Sequence, residues 1–184
     1  GWGGERGGGG RGGGMDGGEG EEVGGRGWGG SGKVTGIEIE NCVNALVEDN
    51  LVTDNAAGIL VFLLPNNPSK LSRGSLIRNN KVIANNHENF AAEGATVAGV
   101  PSGTGVLILA ADDVEVTSNE IRENKTCGVA VLSLASMQRK KAGGVDVDPW
   151  PDRVWIHDNE LVNNGDGADD AAREQGIESG RAHV

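Results

Sequence analysis

The sequence has few of the aromatic residues and cysteines that help to build many compact globular cores. Its 184 residues contain no tyrosine, two phenylalanines and four tryptophans, so aromatic side chains make up only 3% of the chain. Two cysteines are too few for a disulfide framework in a protein of this length. With so few aromatic residues and 33 glycines, the chain suits a solenoid filled by Val, Ile and Leu better than a two-layer domain.

Positive charge and long apolar runs are also scarce. The sequence has 16 basic and 27 acidic residues, which gives a formal net charge of −11. This balance argues against a nucleic-acid backbone or an anionic membrane surface as the partner. No apolar run approaches the roughly 20 residues that cross a bilayer. No signal sequence is visible, although the chain begins with glycine rather than methionine, so this says little about the compartment.

Composition divides the chain into three parts. Residues 1–32 contain 19 glycines and no apolar periodicity, so this low-complexity segment is predicted to be disordered. Residues 33–165 are predicted to form one repeat domain. Residues 166–184 form an acidic, weakly helical tail that could cap the domain or be disordered.

A repeated first strand marks the domain. A glycine followed by alternating apolar residues occurs as GIEIE at 36–40, GILVF at 58–62, GVLIL at 105–109 and GVAVL at 128–132. The spacing without long insertions is 22 residues from Gly36 to Gly58 and 23 from Gly105 to Gly128. β-Solenoid coils use about 20–25 residues. The pattern therefore predicts stacked coils with β-branched and aliphatic side chains inside.

Paired asparagines form an independent marker of the same repeat. One asparagine closes the second strand of each coil and another follows five residues later, after the third strand. They are Asn50, Asn80, Asn119 and Asn159, and Asn55, Asn85, Asn124 and Asn164. Asparagine tolerates the left-handed backbone of a sharp corner, and its amide can bind the equivalent residue one coil away. We interpret the eight residues as two structural asparagine ladders.

Three insertions interrupt the coils. Residues 63–74 and 133–152 leave the first strand at the same corner, and residues 86–104 leave the third strand. Long loops on a rigid solenoid commonly carry function. Because outward residues of the first strand are mostly apolar, we expect either the loops 63–74 and 133–152 or a partner to cover that face.

The outward side of the second strand is the candidate binding face. Strand alternation places Glu48, Arg78, Thr117 and His157 in one outward column, and Leu46, Leu76, Glu115 and Trp155 in the next. Charged groups beside an aromatic ring on a flat sheet favour polysaccharide binding, whereas the alternative is a solvated face with a weak Glu48–Arg78 pair. The predicted binding residues are Arg78, His87, Glu115, Trp150, Trp155 and His157.

Catalytic and metal motifs are weak in this sequence. Asp112 and Asp113 resemble the acid pair of glycoside hydrolases, but they lie in a short turn and we interpret them as a polar corner. Asp146, Asp148 and Asp152 could supply oxygens to Ca²⁺, although no tight ligand spacing is present. No His/Cys spacing is typical of zinc. No cofactor and no metal site are therefore predicted, with Ca²⁺ as the one alternative.

Four stretches resemble a known family. They are GIEIENC at 36–42, DNAAGILVFLLP at 54–65, VPSGTGVLILAADDVEV at 100–116 and DPWPDRVWIHDN at 148–159. With the asparagine repeat, they resemble the right-handed parallel β-helix repeat family of the pectin-lyase-like superfold, and more closely a bacterial family of parallel β-helix repeat proteins without a settled activity. The resemblance covers about residues 33–165 and implies an all-β, right-handed parallel β-helix of about four coils.

The resemblance also implies what lies next to this domain. Members of that family have further coils before the equivalent of Gly36, where this chain is glycine-rich. The first coil is therefore expected to be uncapped, with an open edge through which the chain could self-associate.

Three functional hypotheses follow from the resemblance and the candidate face. The superfold implies carbohydrate chemistry, but the sequence has no Gly-His-Gly motif and no acid triad in register. The first hypothesis is an extracytoplasmic module, periplasmic or secreted, that binds a polysaccharide or another cell-surface partner without turnover. The second is an enzyme related to polysaccharide lyases or glycoside hydrolases. The third is a structural or interaction solenoid.

Overall fold

The chain folds into a right-handed parallel β-helix, as the repeat predicts. A computed structural model describes residues 13–16, 24–26, 29–137, 147–168 and 170–174. Within them, fifteen strands numbered along the chain form three sheets of five parallel strands each. Every sheet takes one strand from each successive coil, so each coil lies above the previous one.

The three sheets repeat in the same order along the chain. The first sheet contains β1 (Gly13–Asp16), β4 (Thr35–Glu40), β7 (Ala57–Phe62), β10 (Thr104–Leu109) and β13 (Cys127–Leu132). The second contains β2 (Gly24–Arg26), β5 (Leu46–Glu48), β8 (Leu76–Arg78), β11 (Glu115–Thr117) and β14 (Trp155–His157). The third contains β3 (Gly29–Gly30), β6 (Leu51–Thr53), β9 (Lys81–Ile83), β12 (Glu120–Arg122) and β15 (Glu160–Val162). Two short helices, α1 (Leu134–Met137) and α2 (Asp170–Glu174), and a 3₁₀ turn (Thr96–Gly99) lie outside the sheets.

Stacked aliphatic columns fill the inside of the coil. In the first sheet Ile59 pairs with Val106, which pairs with Val129, and in the second Val116 lies between Ile77 and Ile156. The inward residues of β4 to β12 are almost completely buried and form one cluster. Aliphatic residues stack on equivalent aliphatic residues because the coils share one register. Each buried aliphatic side chain stabilises the fold by about 1.5–3 kcal/mol.

The eight paired asparagines form two continuous ladders. Along each ladder the side-chain amide donates to the Oδ1 atom of the asparagine one coil later, at N–O distances of 2.9–3.2 Å. In all six steps the backbone N–H of the same residue donates to the same oxygen, as Asn119 does to Asn159 at 3.0 Å. The ladders link residues 30, 39 or 40 positions apart with the same geometry.

The sharp backbone turn lies one residue before each ladder asparagine. The left-handed residues are Asp49, Asn79, Ser118 and Asp158 before the first ladder, and Asp54, Ala84, Glu123 and Asn163 before the second. The interpretation that the ladder asparagines themselves adopt the left-handed conformation is therefore wrong. Turning one residue earlier leaves the asparagine N–H and side-chain amide aimed together at the next coil.

All three insertions cover the outward face of the first sheet. A second apolar cluster is buried there, and it includes Leu60, Phe62, Leu107 and Leu109. The expected cover from residues 63–74 and 133–152 is confirmed, since Leu63, Leu64, Leu134 and Val147 belong to that cluster. Val97 and Val100 of the third insertion contribute as well, which the sequence did not indicate. The apolar face is thus covered within the chain and needs no partner.

Glycine-rich strands lie against the coil that starts at Gly36. β1 pairs in parallel with β4, β2 with β5, and β3 with β6. The expectation that this coil has an open edge is therefore wrong, and the self-association expected through that edge loses its basis. Of the segment 1–32 that is predicted to be disordered, the structure describes residues 13–16, 24–26 and 29–32, and its other positions lie outside the described residues.

The start of the acidic tail continues from the last coil. The backbone N–H groups of Gly165 and Gly167 donate to the carbonyl oxygens of Asn124 and Lys125. Ala168 and Ala172, the latter in α2, are buried. This part of the tail therefore packs on the domain. Residues 175–184 lie outside the described residues.

Candidate functional site

The outward face of the second sheet brings three of the predicted binding residues together. Parallel pairing places Glu115 beside Trp155 and Thr117 beside His157 on β11 and β14. Because alternate residues of a strand share a face, Trp155 and His157 are also neighbours on β14. Their rings stack with centroids 3.8 Å apart and planes inclined by 22°.

Carboxylates on both sides hold the His157 ring in place. Its Nε2 atom lies 3.1 Å from Oε1 of Glu115, and its Nδ1 atom lies 2.8 Å from Oδ2 of Asp158. The hydroxyl of Thr117 is 3.5 Å from Nδ1. The imidazole, fixed at both nitrogens, supports one face of the indole of Trp155, which is 61% exposed.

The charge of His157 follows from these contacts. The hydrogen bond to Asp158 is the main cause that raises the pKa of His157 above its ordinary value; lost hydration opposes it, and the contact with Glu115 raises the pKa further. A raised folded-state pKa means that the protonated ring contributes stability fully below the unfolded pKa of histidine. That contribution is lost as pH rises through the folded pKa.

We expect Asp158→Asn to lower the pKa of His157 toward the ordinary histidine value, and Glu115→Gln to lower it less. The larger effect belongs to Asp158 because its hydrogen bond is the largest cause of the shift. Asparagine also tolerates the left-handed backbone at position 158, where φ is 51°, so the fold is preserved. An NMR titration of the His157 ring protons measures both shifts. A midpoint that stays unchanged in Asp158→Asn would contradict the assignment.

Arg78 lies on the same sheet but is paired within it. Its Nε and Nη2 atoms are 2.9 and 2.8 Å from Oε2 of Glu48 on the previous coil. On its other side Arg78 is in register with Thr117. The predicted Glu48–Arg78 pair therefore forms, and Arg78 is one coil away from the Glu115–Trp155–His157 group.

The two remaining predicted binding residues lie elsewhere. His87 follows the third strand of its coil, where its Nε2 atom is 2.9 Å from Oδ1 of Asp54. Trp150 is exposed in the insertion that precedes β14, and its backbone N–H donates to Oδ1 of Asp148. The structure does not place His87 on the second sheet. Trp150 lies in a loop that precedes the β14 strand of that sheet in sequence.

Asp112 and Asp113 hold a corner, as interpreted from their position. Oδ1 of Asp112 accepts the backbone N–H of Asp152 at 2.9 Å. Both oxygens of Asp113 accept from Arg153, with Nη2–Oδ2 at 3.0 Å. The hydrogen bond from Arg153 is the main reason that the pKa of Asp113 is lowered, so this carboxylate stays ionised and does not serve as a general acid.

Sequence reasoning missed two residues of these arrangements. Neither Asp158 nor Arg153 was assigned a role from the sequence. The available signal was position, because one residue lies two positions before the second strand of each coil. These residues, Asn44, Gly74, Asp113 and Arg153, all take left-handed φ. Reading the four corners as one column would have placed Arg153 against Asp113.

Comparison with known protein families shows which family this chain belongs to. The NosD family, described as "Periplasmic copper-binding protein (NosD)", matches residues 20–177, which is most of the chain. The chain belongs to the NosD family. No curated protein and no solved structure matches the chain significantly.

Membership of the NosD family agrees with the predicted repeat architecture and location. The family is described as periplasmic, and the extracytoplasmic location expected from the sequence is thereby confirmed. In the residues described above, no helix is long and apolar enough to cross a membrane. Family membership thus supports an extracytoplasmic β-helix module.

The described residues do not fit a copper site. No three His, Cys, Asp or Glu side chains among them converge on one point. Both nitrogens of His157 already contact carboxylates, and its raised pKa favours the protonated ring, which cannot bind a metal. Burial raises the pKa of the Cys127 thiol to about 11, so it stays protonated too. For the Ca²⁺ alternative, Asp146 lies outside the described residues, and Asp148 and Asp152 belong to no such group.

Proposed function

We propose that this periplasmic module binds a polysaccharide, without turnover, on the outward face of its second sheet. The observation that carries the proposal is the stacking of Trp155 on a fixed His157. An exposed indole whose rotamer is already restrained loses little conformational entropy when a sugar ring packs on it.

Polar groups beside the indole support the same ligand class. Glu115 has its side chain 40% exposed next to Trp155, and Thr117 presents a hydroxyl on the same face. Such groups can accept and donate hydrogen bonds to sugar hydroxyls while the ring stacks on the aromatic face. The flat, parallel sheet repeats these positions at the coil spacing of about 4.8 Å, which suits an extended polymer.

We expect no turnover because the carboxylates of this region already have hydrogen-bond partners within the protein. Asp113 is held by Arg153, Asp112 by the Asp152 backbone, and Glu115 by His157. Glycoside hydrolysis requires one acid and one base or nucleophile facing a single bond. Within the part of the chain described here, no two unengaged carboxylates face each other on the candidate face.

We expect Trp155→Ala to weaken polysaccharide binding by roughly tenfold or more, since a stacked aromatic anchor contributes about 2 kcal/mol. Binding to a panel of immobilised neutral and acidic polysaccharides measures the effect. Phe90→Ala is the matched control, because Phe90 is 65% exposed on the third insertion, away from this face. The control is expected to bind as the unaltered protein does.

Two results would contradict the proposal. One is the failure of every polysaccharide on the panel to bind the unaltered protein. The other is equal weakening by Trp155→Ala and Phe90→Ala, which would mean that the loss of any exposed aromatic residue has the same effect. Release of shortened products from the bound polymer would instead favour an enzyme.

A further inference from the structure

A cavity of about 200 Å³ lies at the corner between the first and second sheets. The insertion 63–74 and the residues just before β14 meet there, above the short turn at Asp112. Leu63, Leu71 and Ala110 form its apolar wall. It is separate from the Trp155–His157 face, although Arg153, which lines it, is only two residues from Trp155. Two residues span at most about 7 Å of chain.

Two cations that line this cavity, Lys70 and Arg73, form no direct ion pair with a carboxylate among the described residues. The Arg73 guanidinium makes no hydrogen bond or ion pair within the described part of the chain, and its charge helps to lower the pKa of Asp113. Lys70 donates its ammonium hydrogen bond to the Pro65 carbonyl, which carries no charge. Both side chains are exposed. Three basic side chains, Lys70, Arg73 and Arg153, and two acidic ones, Asp112 and Asp148, line the cavity.

The backbone of Arg73 is held in place by the neighbouring coils. Arg73 forms parallel bridges to Val43 on one side and Asp112 on the other, so it is a stacked corner residue rather than a free loop residue. Its N–H donates to the Cys42 carbonyl at 3.0 Å. The held backbone fixes the point from which the Arg73 side chain extends, and its planar guanidinium can present a fork of donors to an oxyanion.

A buried hydroxyl beside Arg73 has no partner among the described residues. Ser72 lines the cavity, is only 4% exposed, and its Oγ atom forms no hydrogen bond within that part of the chain. Buried polar atoms are nearly always paired, so an unpaired one beside a cavity points to a group that is bound there.

The cavity also carries acceptors. Asp112 and Asp148 line it, and each already accepts one backbone N–H, from Asp152 and Trp150 respectively. Their remaining lone pairs can accept hydroxyl hydrogens. Unpaired cations, carboxylate acceptors and an apolar wall together match a sugar residue that bears an acidic substituent.

We propose that this corner cavity binds the acidic substituent, carboxylate or sulfate, of a charged sugar residue, with Lys70 and Arg73 as its cationic partners. The inference rests on the proposed function and deepens it, since it names an acidic polysaccharide as the ligand. The strongly negative net charge of the chain repels polyanions at long range, so a preference for acidic polymers requires a local cationic site of this kind.

Three polymers that share one backbone test the inference: dextran, carboxymethyl-dextran and dextran sulfate. Affinities are measured for the unaltered protein and for the double variant Lys70→Gln/Arg73→Gln. We expect the unaltered protein to prefer at least one acidic polymer over dextran. The double variant is expected to lose roughly tenfold in affinity for that polymer and to keep its affinity for dextran.

A charge-matched control separates the cavity from general electrostatics. The double variant Lys81→Gln/Arg122→Gln removes two cations on the third sheet, where both pair with Glu120, and is expected to leave the preference unchanged. Equal affinity of the unaltered protein for all three polymers would overturn the corner assignment but not the proposed function. An unchanged preference in the Lys70→Gln/Arg73→Gln variant would also overturn the corner assignment.

If none of the polymers binds and the wider panel also fails, both proposals are overturned. The acidic polymer that shows the preference distinguishes a carboxylate from a sulfate.

Discussion

Replacing Asn119 with leucine should lower the free energy of unfolding by about 3 kcal/mol or more, because several buried groups lose partners at once. The Oδ1 atom of Asn119 accepts both the backbone N–H and the side-chain amide of Asn80. Its own amide donates to Asn159 and to the Ile77 and Thr117 carbonyls. Leucine can replace none of these bonds, and each unpaired buried group costs about 1–3 kcal/mol.

Urea unfolding of Asn119→Leu measures this effect, and two variants calibrate it. Asn66→Leu makes the same chemical change at an exposed loop residue and is expected to alter stability by less than about 0.5 kcal/mol. Asn159→Leu, at the last rung of the same ladder, should fall between the two, because no later described asparagine accepts from it. An unchanged unfolding midpoint for Asn119→Leu would show that the ladder is not needed for stability.

Gly105→Ala is expected to destabilise the fold to a similar extent. A Cβ atom at position 105 would lie 2.4 Å from the Gly128 carbonyl oxygen and 3.0 Å from Asn124 Nδ2 and Ile121 Cγ2. The oxygen belongs to the neighbouring strand β13, so it can move only if the pairing of β10 with β13 is disturbed. Overpacking of this kind costs about 3 kcal/mol, which corresponds to a fall in melting temperature of roughly 10 °C for a domain of this size.

Gly167→Ala serves as the control for Gly105→Ala. A Cβ atom there would meet only Lys125 Cβ at 3.9 Å, an ordinary contact, and its backbone is not left-handed. Thermal melting followed by circular dichroism should leave this control close to the unaltered protein. If both glycine variants melted at the same temperature, the close stacking of the first-strand glycines would have no energetic role.

The coil architecture was predictable because period and register determine it. Val116 and Ile121 could be placed inside, and Glu115 beside Trp155, since strand alternation and a fixed coil length leave one choice of face. The first-strand glycines marked the repeat for a reason visible only in three dimensions: the adjacent coil leaves no space for a side chain.

Other features were not predictable because they do not recur at a regular spacing in the sequence. The glycine strands β1 and β2 lack apolar alternation, so nothing in their side chains signals a strand. Ala84 and Glu123 take left-handed φ, which residues of these types rarely do; a local cost of about 1–2 kcal/mol is accepted because strands on both sides fix the corner. The corner cavity joins Lys70 and Arg153, whose proximity depends on how two loops of unrelated sequence meet.

The asparagine ladders have a consequence for how this domain can change over evolutionary time. Successive ladder residues are separated by 30, 39 or 40 positions, yet their hydrogen bonds have the same geometry. Lengthening the closed loop from 30 to 40 residues costs only about 0.3 kcal/mol in chain entropy. The rungs therefore tolerate insertions of different length and sequence almost without penalty, and new recognition loops can be gained at the corners while the scaffold stays unchanged.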